Sequence, residues 1–270
     1  MDKERKSKMK NKWLYIGVVT VVIIALVAAF APRKVNMIDF THAEDQQVNF
    51  GDVAATRNLT QKTVSFFINI DSWAGEAAPF YVVAKGYPGW NVRIGTSSKS
   101  VSFVQDATSS ALWASPNNSI SLGLNHVAIT FDKSSISNDP KIYINGQEVS
   151  VSEIVTPSGS FSSDAGADLF IGAFLSGGYS PDGKVTDVRV YNRILSAQEV
   201  AELYNARSVT ANDNGLVFHA TLDGAAGVSN FDGAVLSASN TVVDRIGGAV
   251  GVPAGSPVGA SDTVMSWGGW

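Results

Sequence analysis

Residues 182–205 read DGKVTDVRVYNRILSAQEVAELYN, and this stretch contains two elements in succession. Its first part, residues 183–191, is rich in valine and alternates apolar with polar side chains, which predicts a β-strand. In its second part Ser196 is followed three residues later by Glu199, the spacing of a helix capping box. Val200, Leu203 and Tyr204 then supply a buried stripe, so a short helix is predicted after the strand.

Short apolar runs separated by Gly, Pro, Ser and Asn precede this stretch. Residues 141–149 read KIYINGQEV, and the Asn145-Gly146 pair is the strongest two-residue signal for a β-hairpin. Six further runs have the composition of strands: 63–70, 80–85, 90–94, 100–104, 125–131 and 168–172. Strands at this density, with turn residues between them, predict an all-β sandwich or barrel.

Four motifs in a fixed order resemble a known family. They are 126–132 (HVAITFD), 141–149 (KIYINGQEV), 170–172 (FIG) and 182–205. Together they resemble the laminin-G-like branch of the concanavalin A-like lectin/glucanase superfamily, over residues 35–208. The resemblance implies a two-sheet antiparallel jelly-roll sandwich with one concave face. The family includes glycan binders, protein-adhesion modules and glycoside hydrolases, so the fold alone does not give the function.

Residues 209–270 form a Gly-rich extension beyond this region. Residues 214–224 (NGLVFHATLDG) resemble the opening strand of another such sandwich, but about 60 residues cannot complete one. The extension therefore either adds strands to the first domain or is a truncated repeat that needs a partner. Exposed strand edges would invite self-association, to which the terminal Trp267 and Trp270 could contribute.

The N-terminus has the composition of a membrane signal anchor. Residues 13–31 (WLYIGVVTVVIIALVAAFA) carry no charge and are long enough to cross a bilayer as one helix, after a basic segment at 1–12. The positive-inside bias then places the N-terminus in the cytoplasm and the sandwich outside the membrane. The alternative is a secreted protein, since Ala29-Phe30-Ala31 has the form of a signal-peptide cleavage site.

Composition excludes several classes of function. The chain has 45% hydrophobic residues and no cysteine, so disulfide scaffolds, thiolate metal sites and cysteine nucleophiles are excluded. Residues 35–270 contain 12 basic and 22 acidic side chains, because eight of the 20 Lys and Arg residues lie in 1–34. An acidic body repels phosphate backbones, so nucleic acid is not expected as a partner.

Catalytic signatures are missing from the sequence. Glycoside hydrolases of the family alternate carboxylates along one strand, as Glu-x-Asp-x-Glu or Glu-x-Asp-x-x-Glu, and no such cluster occurs here. The three histidines are His42, His126 and His219, and none follows a nucleophile-elbow motif. His126 matches the position that leads a core strand in the family that the chain resembles, where we expect a structural role. The protein is therefore expected not to be an enzyme.

The resemblance also implies a calcium ion. Many members of the superfamily hold one with the aspartate before the last strand, and Asp187 matches that position. Asp39 and Gly51 lie near the first strands and could supply further oxygen ligands. The alternative is that Asp187 forms an ion pair with Arg189 or Arg193.

Five residues are candidates for binding a ligand. Aromatic rings beside amides suit sugars, whose apolar faces stack on rings while their hydroxyls need polar partners. The candidates are Trp73, Tyr87, Trp90, Asn91 and Trp113. The alternative for Trp90 and Trp113 is that they fill the core. The leading hypothesis is a membrane-anchored, non-catalytic module that recognises a glycan or a surface protein. The alternatives are a structural subunit of an envelope or virion-like assembly and, less favoured, a degenerate glycoside hydrolase.

Overall fold

The structure is a computed structural model, and it describes residues 33–41, 45–73, 79–174, 179–206, 214–225, 229 and 233–264. Residues 36–261 form one compact unit, and the short segments 33–35 and 262–264 belong to a separate one. No helix among the described residues is long and apolar enough to cross a membrane. The predicted signal anchor at 13–31 lies outside them, as do His42, Trp267 and Trp270.

Two large antiparallel sheets make up the fold. The eight-stranded sheet has the order β11-β10-β9-β3-β15-β1-β19, with β16 also paired to β15. Its strands are β1 (Arg33–Phe40), β3 (Gln61–Ile70), β9 (Gly123–Asp132), β10 (Lys141–Ile144), β11 (Gln147–Val149), β15 (Gly183–Tyr191), β16 (Leu216–Ala220) and β19 (Val258–Val264).

The nine-stranded sheet has the order β12-β8-β6-β5-β4-β14-β2-β18-β17. Its strands are β2 (Gln47–Asn49), β4 (Phe80–Lys85), β5 (Trp90–Gly95), β6 (Ser100–Gln105), β8 (Ala111–Ala114), β12 (Ser152–Val155), β14 (Leu169–Gly172), β17 (Val242–Val243) and β18 (Val250–Ala254). A small sheet pairs β7 (Ala107–Ser109) with β13 (Ser158–Phe161), and a 3₁₀ turn covers Ala54–Thr56.

The core lies between the two large sheets, because alternate residues of each strand point inward. Val64, Phe66 and Ile68 of β3 are fully buried and join Trp90, Val92 and Ile94 of β5 in one hydrophobic cluster. The all-β fold with two antiparallel sheets, as expected of a sandwich, is thus confirmed.

The helix and the hairpin fall where the sequence predicts them. Helix α1 (Ala197–Ala206) begins with the capping box: the Glu199 amide donates to Ser196 Oγ at 3.2 Å, and the Ser196 amide to Glu199 Oε2 at 2.8 Å. Asn145 and Gly146 join β10 to β11 with positive φ angles of 52° and 77°, as a type I′ turn requires.

The described part of the C-terminal extension adds strands to both sheets. β16 pairs with the second half of β15, beyond the point where β1 pairs with its first half. β18 pairs with β2 and so continues the nine-stranded sheet at its edge. The extension therefore supplies part of this sandwich, because β16 and β19 belong to the eight-stranded sheet and β17 and β18 belong to the nine-stranded sheet.

Candidate functional site

The candidate site is the outer face of the nine-stranded sheet, the face turned away from the core. Along β5, Trp90, Val92 and Ile94 point into the core, so the intervening Asn91 and Arg93 must point outward. The strand register extends this face across the sheet. We define the outer face by two rows of directly paired residues, one through Asn91 and one through Arg93.

The first row crosses eight strands and is largely apolar. Its members in order are Val155, Leu112, Val104, Asn91, Ala84, Phe170, Asn49 and Val252. The second row lies about 7 Å away along the strands. Its members are Ser152, Ala114, Ser102, Arg93 and Tyr81.

Aromatic rings cluster at the side of this face formed by β4 and β14. Tyr81 lies edge-on to Phe174 at 5.5 Å and to Tyr179 at 6.3 Å between ring centroids, and Phe170 contacts Phe174 at 5.9 Å. Tyr179 is 39% exposed, and the other three rings are partly exposed. The cluster thus presents ring surface to solvent beside the polar side chains of β5.

Two polar groups stand next to these rings. Arg93 is partly exposed and lies between Tyr81 and Ser102 in the strand register. The Oδ1 atom of Asn91 is shielded from solvent and has no hydrogen-bond partner. Asn49, near the far end of the first row, already has protein partners. Its amide nitrogen donates to Asp168 at 3.0 Å, and its Oδ1 accepts from the backbone amide of Gly51 at 2.7 Å.

Of the five predicted ligand residues, Asn91 lies on this surface, in the first row. Tyr87 is 76% exposed at the tip of the hairpin that joins β4 to β5, outside the two rows. Trp73 is elsewhere: it is partly buried against the core and stacks on Phe80 with ring centroids 6.4 Å apart.

Trp90 and Trp113 are core residues, which corrects their predicted role in binding a ligand. They are 1% and 0% exposed. Trp113 packs on Phe131 at 5.3 Å, and its indole Nε1 donates to Asp139 at 2.7 Å. The buried Lys62 ammonium lies 5.4 Å from the Trp90 ring. A ring without exposed surface cannot stack on a sugar. Both tryptophans therefore fill the core, as the alternative interpretation of the sequence has it.

The residues predicted to hold calcium are engaged with protein groups. Both carboxylate oxygens of Asp187 accept hydrogen bonds from Arg189 at 2.9 Å, and Oδ1 also contacts His219 Nε2 at 2.7 Å. Burial alone would raise the pKa of Asp187, but the hydrogen bond from His219 and the charge of Arg189 hold it below its usual value.

The two other predicted ligands, Asp39 and Gly51, also lie beside protein groups. Burial raises the pKa of Asp39, with partial compensation by Lys184, its partner across the strands. The Gly51 carbonyl accepts amides from Val53 and Leu169 at 3.0 and 2.8 Å. No group of three or more His, Cys, Asp or Glu side chains within the described ranges is arranged to hold a metal ion. Calcium binding therefore stays a prediction, because the described residues do not show a cluster of side-chain ligands for the ion.

The sequence alone does not reveal the candidate surface that β5 builds with its neighbours. Trp90 and Asn91 are adjacent in the sequence, but adjacent residues of a strand face opposite sides of a sheet. Alternation along β5 already pairs Asn91 with Arg93 and assigns Trp90 to the core. No sequence signal brings Tyr81 together with Phe174 and Tyr179, which lie about 90 residues later.

Comparison with solved structures supports the fold. A protein from Bacteroides ovatus, to which carbohydrate binding is ascribed, superposes with a TM-score of 0.56 and 17% identity over 85% of this chain. The chain spans 60% of the length of that protein. A heptameric SAP-like pentraxin from Limulus polyphemus gives a TM-score of 0.50 and 16% identity, covering 81% of this chain and 95% of the pentraxin.

Comparison of the sequence with known families gives a match over more than half of the chain. No curated protein matches. The laminin G-type family described as the concanavalin A-like lectin/glucanases superfamily matches residues 42–201, which include β2 to β15 and the first half of α1. The chain therefore belongs to the concanavalin A-like lectin/glucanases superfamily.

Proposed function

We propose that this protein is a non-catalytic recognition module that binds a glycan on the outer face of its nine-stranded sheet. The observation that carries the proposal is the cluster of Tyr81, Phe174 and Tyr179 beside Asn91 and Arg93. Sugar rings have apolar faces that stack on aromatic side chains, and hydroxyl groups that need amide or guanidinium partners. The site offers both kinds of group on one surface.

The fold comparison is consistent with this proposal. Carbohydrate binding is ascribed to the Bacteroides ovatus protein, whose fold resembles this one. The superfamily also includes glucanases by its description, so the choice between binding and catalysis must come from the site. Glycoside hydrolysis uses a pair of carboxylates. The sequences of β4, β5, β6 and β8, the central strands of the outer face, contain neither Asp nor Glu.

A glycan array probed with the full chain in mild detergent tests the proposal. We expect Tyr81→Ala to weaken binding of any glycan hit by about fivefold, because one stacking ring contributes about 1 kcal/mol. Leu122→Ala is the matched control. Leu122 is an apolar side chain that is 52% exposed, and it lies just before β9, a strand of the eight-stranded sheet. An array without hits, or equal binding by both variants and the wild type, would contradict the proposal.

We further propose that residues 13–31 anchor the module in a membrane, with the sandwich on the extracytoplasmic side. The uncharged run and the basic segment before it support this arrangement. N-terminal sequencing of the protein isolated from cells decides the matter. An intact residue 1 in the membrane fraction supports an anchor, whereas a mature chain that begins at Pro32 shows a secreted protein.

A second candidate function, assembly with other copies, has one specific observation in its favour. Val243, Val250 and Val252 are 48%, 49% and 39% exposed on β17 and β18, at the edge of the nine-stranded sheet. An exposed apolar edge favours pairing between sheets. Size measurement in mild detergent tests this candidate: Val250→Lys should convert an oligomer into a monomer, and a wild-type monomer would exclude assembly through this edge.

A further inference from the structure

The central strands of the outer face have an unusual balance of charge. The sequences of β4, β5, β6 and β8 contain two charged side chains, Lys85 and Arg93, and both are positive. Lys85 is buried and bound to Asp52 at 2.8 Å. Arg93 is therefore the one charge that these four strands present to solvent, on a protein whose residues 35–270 carry ten more acidic than basic side chains.

Arg93 differs from the other arginines whose side chains the structure describes. Arg57, Arg189, Arg193 and Arg245 each form an ion pair with an aspartate or glutamate, at 2.7–3.2 Å. Arg93 forms no ion pair with any described carboxylate. A guanidinium group presents donors in a planar fork that matches a carboxylate, so a partly exposed and unpaired arginine on a binding surface is suited to an anionic ligand group.

The groups around Arg93 are suited to bind the uncharged parts of such a ligand. Tyr81 is the direct cross-strand neighbour of Arg93, and its ring belongs to the aromatic cluster. Asn91 lies two residues before Arg93 on the same face, about 7 Å along the strand. Its Oδ1 has no partner in the protein, and its partly exposed side chain belongs to the same face. Charge, ring surface and amide thus lie within the span of a disaccharide.

We propose that the glycan is acidic and that Arg93 binds its anionic group, with a carboxylate as the preferred anion. This inference rests on the proposed function and names its ligand class. The surplus of acidic side chains repels polyanions at long range, whereas Arg93 attracts one negative charge at short range. The site therefore selects a glycan with one acidic sugar in an otherwise neutral chain over a highly sulfated polymer.

Binding of matched glycan pairs to the full chain in mild detergent tests the inference. The probes are glycans ending in a uronic acid or a sialic acid, the same glycans after reduction of the carboxyl group, a sulfated analogue, and heparin. We expect the carboxylate form to bind between about ten- and a hundredfold more tightly than its reduced form. Heparin should bind more weakly than the glycans that carry one carboxylate. The affinity of the sulfated analogue should fall between those of heparin and of the carboxylate glycans.

Variants then assign the effect to Arg93. Arg93→Gln should abolish the preference for the acidic form, and an unchanged circular dichroism spectrum and melting temperature show that the variant is folded. Arg57→Gln is the matched control, because Arg57 is an exposed arginine paired with Asp52, and its loss should leave the preference unchanged. Equal binding of acidic and reduced forms by the wild type, or a preference that survives in Arg93→Gln, overturns the inference but leaves glycan binding intact. Absence of all glycan binding overturns both proposals.

Discussion

Lys62 is a buried cation whose titration links the stability of the sandwich to pH. Its side chain is 0% exposed between the sheets, where the ammonium donates to Gln105 Oε1 at 2.7 Å and lies near the rings of Trp90 and Phe131. It forms no ion pair with any carboxylate that the structure describes. Burial in these surroundings lowers the pKa of Lys62 to about 7, from 10.5 in the unfolded chain.

The sign of the pH effect follows from this difference. Between about pH 7 and 10.5 the unfolded chain binds a proton at Lys62 that the folded protein does not bind, so unfolding becomes less favourable as the pH rises. The slope approaches about 1.4 kcal/mol per pH unit within this window, and the whole change is on the order of 5 kcal/mol. Below about pH 7 both states are protonated, and the cost of burying the charge is fully present.

Lys62→Met keeps the length of the side chain and removes the titration. We expect the free energy of unfolding of the wild type, measured with urea between pH 7.5 and 9.5, to rise by about 1 kcal/mol per pH unit relative to this variant. Lys141→Met is the control, because Lys141 is 58% exposed and its loss should leave no pH-dependent difference. A difference between wild type and Lys62→Met that stays constant with pH would refute the reasoning.

Three further predictions concern the C-terminal half of the chain. Asp187→Asn keeps a residue that tolerates the φ of 55° but leaves Arg189 buried without its carboxylate. The free energy of unfolding, measured with urea, should therefore fall by about 3–5 kcal/mol and depend less on pH in the acid range. Gly146→Ala should lower the melting temperature more than Gly166→Ala does, because both glycines have positive φ but a Cβ at Gly146 would also lie 3.0 Å from Tyr204. Chelation of divalent cations with EDTA should leave the melting temperature unchanged, because Arg189 and His219 occupy the Asp187 carboxylate; a clear decrease would show a native-state metal.

Local patterns in the sequence predicted the elements of this fold. The capping box fixed the start of α1, and Asn145-Gly146 fixed the β10–β11 hairpin, because both signals act between residues a few positions apart. The ordered motifs gave the superfamily for the same reason, since each motif is a single strand or hairpin. The membrane segment remains a prediction from composition.

The sequence by itself thus determined the class of fold, the β10–β11 hairpin and the start of α1. Only the tertiary structure decided that Trp113 is buried, that Asp187 binds Arg189 and His219, and that Tyr81 meets Phe174 and Tyr179 beside Arg93. Strand alternation specifies which face a side chain takes, but not which distant strand lies beside it. Long-range pairing in the two sheets sets those neighbours, and they create the surface proposed to bind glycans.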